Sequence, residues 1–255
     1  TNGALANSFA TIRSKMLLWS FAMSLGIRQL IEFTKEAATL KAMETAFNTL
    51  SGGTNNAAIA IDKLKEATNN TMSEFDLFQQ ANNAMILGVS KNSDEMAEMF
   101  DIAQRLGRAL GKDTKMSVES LITGIGRQSR LMLDNIGIIV KSEEAYEAYA
   151  KSLGKTTDAL SDAEKKQAFL TATMESARAK VNSLGGEVLS EMDSFSQLAA
   201  SMDDLQARVG DAILAFEPLI NLASDFTDAI TSKRIDRFLR AIGLIINVFK
   251  VLAGV

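Results

Sequence analysis

Near the start of the chain, Phe9, Ile12, Met16, Trp19, Met23, Gly26, Leu30, Phe33, Ala37 and Leu40 follow one another at alternating steps of three and four. That spacing averages 3.5, the heptad step, and a stripe kept in phase this way supports a left-handed supercoil of helix on helix. One long amphipathic helix laid on its own domain satisfies the same spacing, and both readings stay open here. Gly26 weakens the seam, and Glu44 breaks it.

A second stripe runs through Phe195, Leu198, Met202, Leu205, Val209, Ala212, Phe216, Leu219, Ala223, Phe226 and Ile230. The segment "TSKR" interrupts it, and it resumes at Ile235, Phe238, Ile242, Ile245, Phe249 and Leu252. Pro218 is the only proline of the 255 residues. In a helix interior it costs about 3 kcal/mol, so the spacing predicts a kink or a fresh helix start there. Abundant Ala, Leu, Met, Glu, Lys and Gln with few β-branched runs make the chain all-α.

Shorter helices occupy the interval between the stripes. "LSGGTNN", residues 50 to 56, ends the first long helix; paired glycines and turn formers stop a helix. Thr71 with Glu74 fits a capping box, and Ser93 caps a helix carrying Met96, Phe100, Ala103, Leu106 and Leu110 on one face. "GKDTKM" is a connector, after which Ser117 opens the helix leading to Gly124. Ser161 and Glu164 form another box, at the head of a helix that ends at Gly185-Gly186. The expected architecture is two long heptad-like arms flanking a compact multi-helix middle. A coiled-coil-like N-terminal helix takes residues 1–56 and the compact region 57–186. Long C-terminal helices take 187–255, broken near Pro218 and at 231–234.

Several chemistries are excluded or weakened. With no cysteine and no histidine, the chain has no disulfide, no thiolate or imidazole metal ligand and no nucleophile or base of those types. A net charge of −4, from 27 basic and 31 acidic residues, gives no field for nucleic acid, and no sequence-specific nucleic-acid binding is expected. "GIGRQSRLMLDNIGIIV", residues 124 to 140, places Ser129 where the third glycine of a dinucleotide fingerprint belongs, and follows a helical segment rather than a strand. Gly154-Lys155-Thr156 looks like the end of a P-loop, but Tyr149 stands at its first glycine, and Gly154 reads as a helix C-cap. The carboxylate groups Asp94/Glu95/Glu98, Glu143/Glu144/Glu147 and Asp203/Asp204 lack calcium-loop spacing and read as solvated helix faces. No cofactor, no metal and no enzymatic activity are expected.

The residues 117–187, "SVESLITGIGRQSRLMLDNIGIIVKSEEAYEAYAKSLGKTTDALSDAEKKQAFLTATMESARAKVNSLGGE", resemble a recurrent block of the tail tape measure proteins of tailed bacteriophages. The block's order is kept: a short helix, a glycine–arginine turn, "LDN-G" with an aliphatic tail, "A-Y-A" and "LG", then "T-D-A-L-S-D-A-E-K-K-Q-A-F" and an alanine-rich helix. The turn falls on Gly124, Gly126, Arg127, Asp134, Asn135 and Gly137, and Arg130 stands where that family often has proline. The resemblance implies a structural ruler in the lumen of the tail tube, which sets tail length during assembly and is released during DNA ejection. It implies a virion protein, assembled in the host cytoplasm, whose partners are tail tube proteins, tail tip or baseplate hub proteins and tail assembly chaperones, with host membrane contact during ejection. The chain is then expected to be a segment of a longer protein.

Helical rise of about 1.5 Å per residue suits a ruler, and the seams Phe9–Leu40 and Phe195–Ile230 suit homo-oligomerisation. A trimer would match a threefold-related tail tip. The alternative is a membrane-active, pore- or channel-forming helical protein built on residues 16–27 and 235–255, with Lys233, Arg234, Arg237, Arg240 and Lys250 toward anionic lipid. Residues 16–27 span only about 18 Å as a helix, against about 30 Å of hydrocarbon.

Overall fold

The computed structural model describes residue 29 and residues 31–185 and 192–214. Every regular element among them is helical. In order they are α1 (31–50), α2 (Thr54–Ala67), α3 (Glu74–Ile86), α4 (Ser93–Ala109), α5 (Thr114–Gly126), α6 (Arg130–Asp134) and α7 (Ser142–Ser152). A 3-10 turn at Thr157–Ala159, α8 (Asp162–Ser183) and α9 (Met192–Leu214) follow. The chain divides into two units, one of Leu40–Asp204 and one of Thr1–Thr39 with Leu205–Val255.

In the Leu40–Asp204 unit, α5 is the centre. It packs against α3, α4, α6 and α8. Val118, Leu121, Ile122 and Ile125 are fully buried, and so are Ser117, Ser120 and Gly124. A helix covered on nearly every side must alternate bulk with small residues, because its neighbours come too close for a side chain at each position. Three notches show this. A Cβ on Gly124 would lie 2.6 Å from Leu133 Cδ2, and one on Gly126 would lie 2.5 Å from Leu87 Cδ1. A Cβ on Gly107 of α4 would overlap the hydroxyl of Ser117. Around this axis α4 turns Met96, Met99, Phe100, Ala103 and Leu106 inward, while Leu110 falls past the helix end and is exposed. Phe169 of α8 and Leu77 of α3 complete the core, and Phe47 of α1 meets the ring of Phe78 edge-on at 5.6 Å. Burying each large apolar side chain contributes about 1.5–3 kcal/mol.

One device ends most of these helices. After α2, α3, α4, α5 and α7, a residue at positive φ lets two amides return to the last turn, the 6→1 and 5→2 pair of a Schellman motif. The positive-φ residues are Asn69, Gly88, Gly111, Gln128 and Gly154. At α7, for example, Lys155 N–H donates to the Ala150 carbonyl at 2.9 Å and Gly154 N–H to Lys151 at 3.1 Å. Gln128, at φ 52°, has no glycine's freedom; Tyr146 Oη of α7 donates to its Oε1 at 2.7 Å and holds it.

Helix starts differ from the sequence expectation by one to four residues. The N-cap of α3 is Ser73, which accepts from Asp76 N–H, whereas Thr71 donates to the Thr68 carbonyl and bonds Thr114 Oγ1. The N-cap of α4 is Asn92, accepting from Glu95 N–H, and Ser93 is already helical. The N-cap of α5 is Asp113, and Ser117 lies one turn inside. Neighbouring Ser, Thr, Asn and Asp can each accept the same amide, and packing selects among them. At α8 the box of Ser161 and Glu164 forms as expected.

Glu164 also receives Lys155 Nζ at 2.5 Å. That ammonium foremost, and the Ser161 amide and hydroxyl after it, lower its pKa from 4.5 to about 2. A depressed carboxylate pKa gives stability that is present above the unfolded value and lost as pH falls toward the folded one. Glu164→Gln should therefore lower the melting temperature at pH 7, with the difference from wild type closing between pH 4.5 and about 2. Gly124→Ala should destabilise the protein by about 1–3 kcal/mol in urea titrations. An exposed helical Gly→Ala change would instead stabilise it by about 1 kcal/mol. A stabilised variant would show that Leu133 yields freely.

Candidate functional site

The stretch 124–140 is resolved into packing parts. Gly124 and Gly126 lie inside the last turn of α5 rather than in a turn of their own, which corrects the sequence reading. A helix presents carbonyls at that end, whereas phosphate is held by N–H groups at the other. Arg127 caps α5 and is exposed, as is Arg130 at the start of α6. Asp134 closes α6, Asn135 follows it, and Gly137 at φ 74° turns the chain. Ile136, Ile138 and Val140 then alternate into the core while Ile139 faces out.

Most of the other groups flagged in the sequence pair with neighbouring side chains or amides, while Glu143 and Glu147 lie exposed on α7. Lys155 is held by Glu164, and Gly154 at φ 65° ends α7. Asp94 pairs with Lys63 at 2.5 Å, and Glu95 accepts the Lys91 amide at 3.0 Å. Glu98 takes Arg178 through Nε and Nη2 at 2.6 and 2.8 Å, tying α4 to α8 and lowering the Glu98 pKa. Glu144 pairs with Lys141 at 2.7 Å. Asp203 is pushed up, first by burial and then by the charge of Asp76, which itself pairs with Lys115 at 2.7 Å. Among the described residues no group of three or more acidic side chains is placed to hold a metal ion. Two grooves, of about 280 and 190 Å³, open on the Leu40–Asp204 unit. The larger has Phe47, Ile59, Met85 and Met96 in its wall; in the smaller, Glu98 and Arg178 pair with each other beside Lys91 and Glu95.

The surface that stands out is α9. Its apolar stripe faces solvent: Phe195 is 70% exposed, Leu198 61%, Met202 48% and Leu205 52%, with Val209 half-buried. The opposite face of its first half docks on the Leu40–Asp204 unit with small and polar residues. Asp193 Oδ2 receives Arg108 Nη2 at 2.6 Å, Gln197 Nε2 donates to the Asn69 carbonyl at 2.8 Å, and Ala200 is buried. Asp204 Oδ1 accepts the Glu74 amide at 2.7 Å, one of the α3 N-terminal N–H groups that the helix itself leaves without a partner. In the other unit, Gly210 sits so close to α1 that a Cβ would overlap the Phe33 carbonyl, and Ala37 and Ala207 are buried.

Of the first seam, Phe33 is half-buried and Leu40 packs on the core of its unit. Phe9, Ile12, Met16, Trp19, Met23, Leu30 and Phe216 lie outside the described residues, as do the apolar stretches 16–27 and 235–255. No helix among the described residues is long and apolar enough to cross a membrane. Arg108, Asp193, Gln197 and Ala200 are not among the sequence candidates, and Asp204, read there as part of a solvated face, accepts the Glu74 amide instead. Their signal is a three-four series, Asp193, Gln197, Ala200 and Asp204, set opposite the apolar one. No protein-family model matches the chain, and no solved structure matches it significantly.

The two faces of α9 should respond oppositely to charge. Phe195→Asp and Leu198→Asp should shift the unfolding free energy of the compact unit by no more than about 0.5 kcal/mol, as exposed sites do. Ala200→Asp buries a charge without a counter-ion and should cost more than about 1 kcal/mol. Equal costs in chemical denaturation would contradict the assignment of faces.

Proposed function

We propose that this chain is a segment of a tail tape measure protein, a structural ruler in the tail tube lumen of a tailed bacteriophage. In this reading it sets tail length during assembly and leaves the tube during DNA ejection. The observation that carries the proposal is the ordered block 117–187, several of whose motif residues have structural work. Gly124 and Gly126 admit close neighbours, Gly137 turns the chain, Gly154 ends α7, and Ser161 with Glu164 starts α8. A block whose glycines and cap residues serve packing suits a structural protein with no catalytic role.

The segment works in the virion, bound to tail tube, tail tip or hub proteins, and to assembly chaperones before that. Copies associate through the apolar stripes of the long helices, three in number if they follow a threefold tail tip. The Phe195–Leu205 stripe facing solvent supports this, since a helix docked by its small, polar face keeps the opposite seam for another helix. The folded Leu40–Asp204 unit does not lengthen in proportion to its residues, so measuring falls to the segments outside it.

Residues 201–214, two heptads of α9 that hold no proline, can be repeated after Leu214 with the stripe kept in phase. Two extra in-frame copies in the parent gene should lengthen the tail by about 42 Å at about 1.5 Å per residue. Tail lengths by electron microscopy read the result. Unchanged length in assembled particles would remove the ruler role from this segment.

A further inference from the structure

We propose that the first half of α9 is a detachable strap, latched to the compact unit through Arg108 and able to leave it while the core stays folded. The inference rests on the Leu40–Asp204 unit alone and holds whether or not the chain is a ruler.

The latch is built around a buried cation. Arg108, at the end of α4, has a side chain only 4% exposed, and its counter-charge, Asp193 at 17%, comes from α9. The Asn69 side chain, oriented with its amide oxygen toward the guanidinium, accepts from Nη2 and Nη1 at 2.9 and 3.1 Å. The Nε–H has no hydrogen-bond partner among the described residues. A guanidinium taken out of water and left incompletely satisfied gains little from docking, because desolvation offsets the attraction of its partner.

The remaining attachments are of the same kind. Gln197 bonds the carbonyl of Asn69, which stands at φ 50° in the turn ending α2, and Asp204 takes the first amide of α3. Water can replace each of these groups when the helix lifts away. Among the described side chains of this face, apolar burial, which would weld the strap to the core, is confined to Ala200, while Phe195, Leu198 and Met202 are exposed. By contrast α5 is fixed by Val118, Leu121, Ile122 and Ile125, all fully buried. Sub-global opening follows such differences in apolar burial, so α9 opens at lower free energy than α5.

Hydrogen exchange of the full chain, read by mass spectrometry at neutral pH, tests the latch. In wild type, amides of 192–204 should exchange through an opening that leaves α5 protected. Asp193→Asn, close in shape and uncharged, should speed exchange in that segment about tenfold with α5 unchanged. Gln197→Ala, which leaves Arg108 paired, should accelerate the same segment less. Exchange of α9 and α5 at one common rate would overturn the proposal. So would an Asp193→Asn variant that accelerates both helices equally or leaves α9 unaffected.

Discussion

The close approach of neighbours to α5 is the constraint on which the Leu40–Asp204 unit depends. A helix contacted by α3, α4, α6 and α8 has little room for bulk on its buried faces, and its exposed side is left to Lys115, Met116 and Glu119. Gly124 and Gly126 are therefore set by Leu133 and Leu87, and Ser117 and Gly107 are set by each other. The same glycines that look like a nucleotide loop in sequence are spaces for two leucines. Their chemistry is steric, and their place at the carbonyl end of the helix removes the amides that an anion would need.

Helix content and the approximate elements are legible in the sequence because they rest on local physics. The stripe Met96, Phe100, Ala103 and Leu106 points inward as its spacing requires, and the Ser161–Glu164 box is formed entirely by residues three apart. Gly154 ends α7 for a reason contained in the turn itself. Legibility fails where several residues offer the same hydrogen bond. Thr71 and Ser73, or Asn92 and Ser93, are equivalent acceptors until tertiary contacts choose, as Thr114 does for Thr71. It fails also for Gln128, whose positive φ is supported by Tyr146 from another helix.

The candidate surface on α9 is legible only in part. Its periodicity identifies a helix with one apolar stripe, yet periodicity does not say which face meets the rest of the protein. The expectation from burial alone is that the apolar face turns inward. Here the first half of the helix docks by the face that carries Asp193, the partner of Arg108, with Phe195 and Leu198 on the exposed side. A long-range ion pair of this sort has no local signature, and Asp193 is an ordinary first-turn acid until Arg108 is placed.

The contacts that hold α9 reach far along the chain: Gln197 to Asn69 across 128 positions, and Asp204 to Glu74 across 130. Neighbouring helices of the compact unit, such as α4 with α5 or α7 with α8, pack on one another over short separations. On a ribosome adding about 5–20 residues per second, Gln197 is made roughly 6–26 s after Asn69. Helices and short loops form in microseconds, so the unit has time to build its interior before its last helix is synthesised. Arg108 precedes Asp193 by 85 positions, so it is made roughly 4–17 s before the counter-charge whose docking takes it out of water.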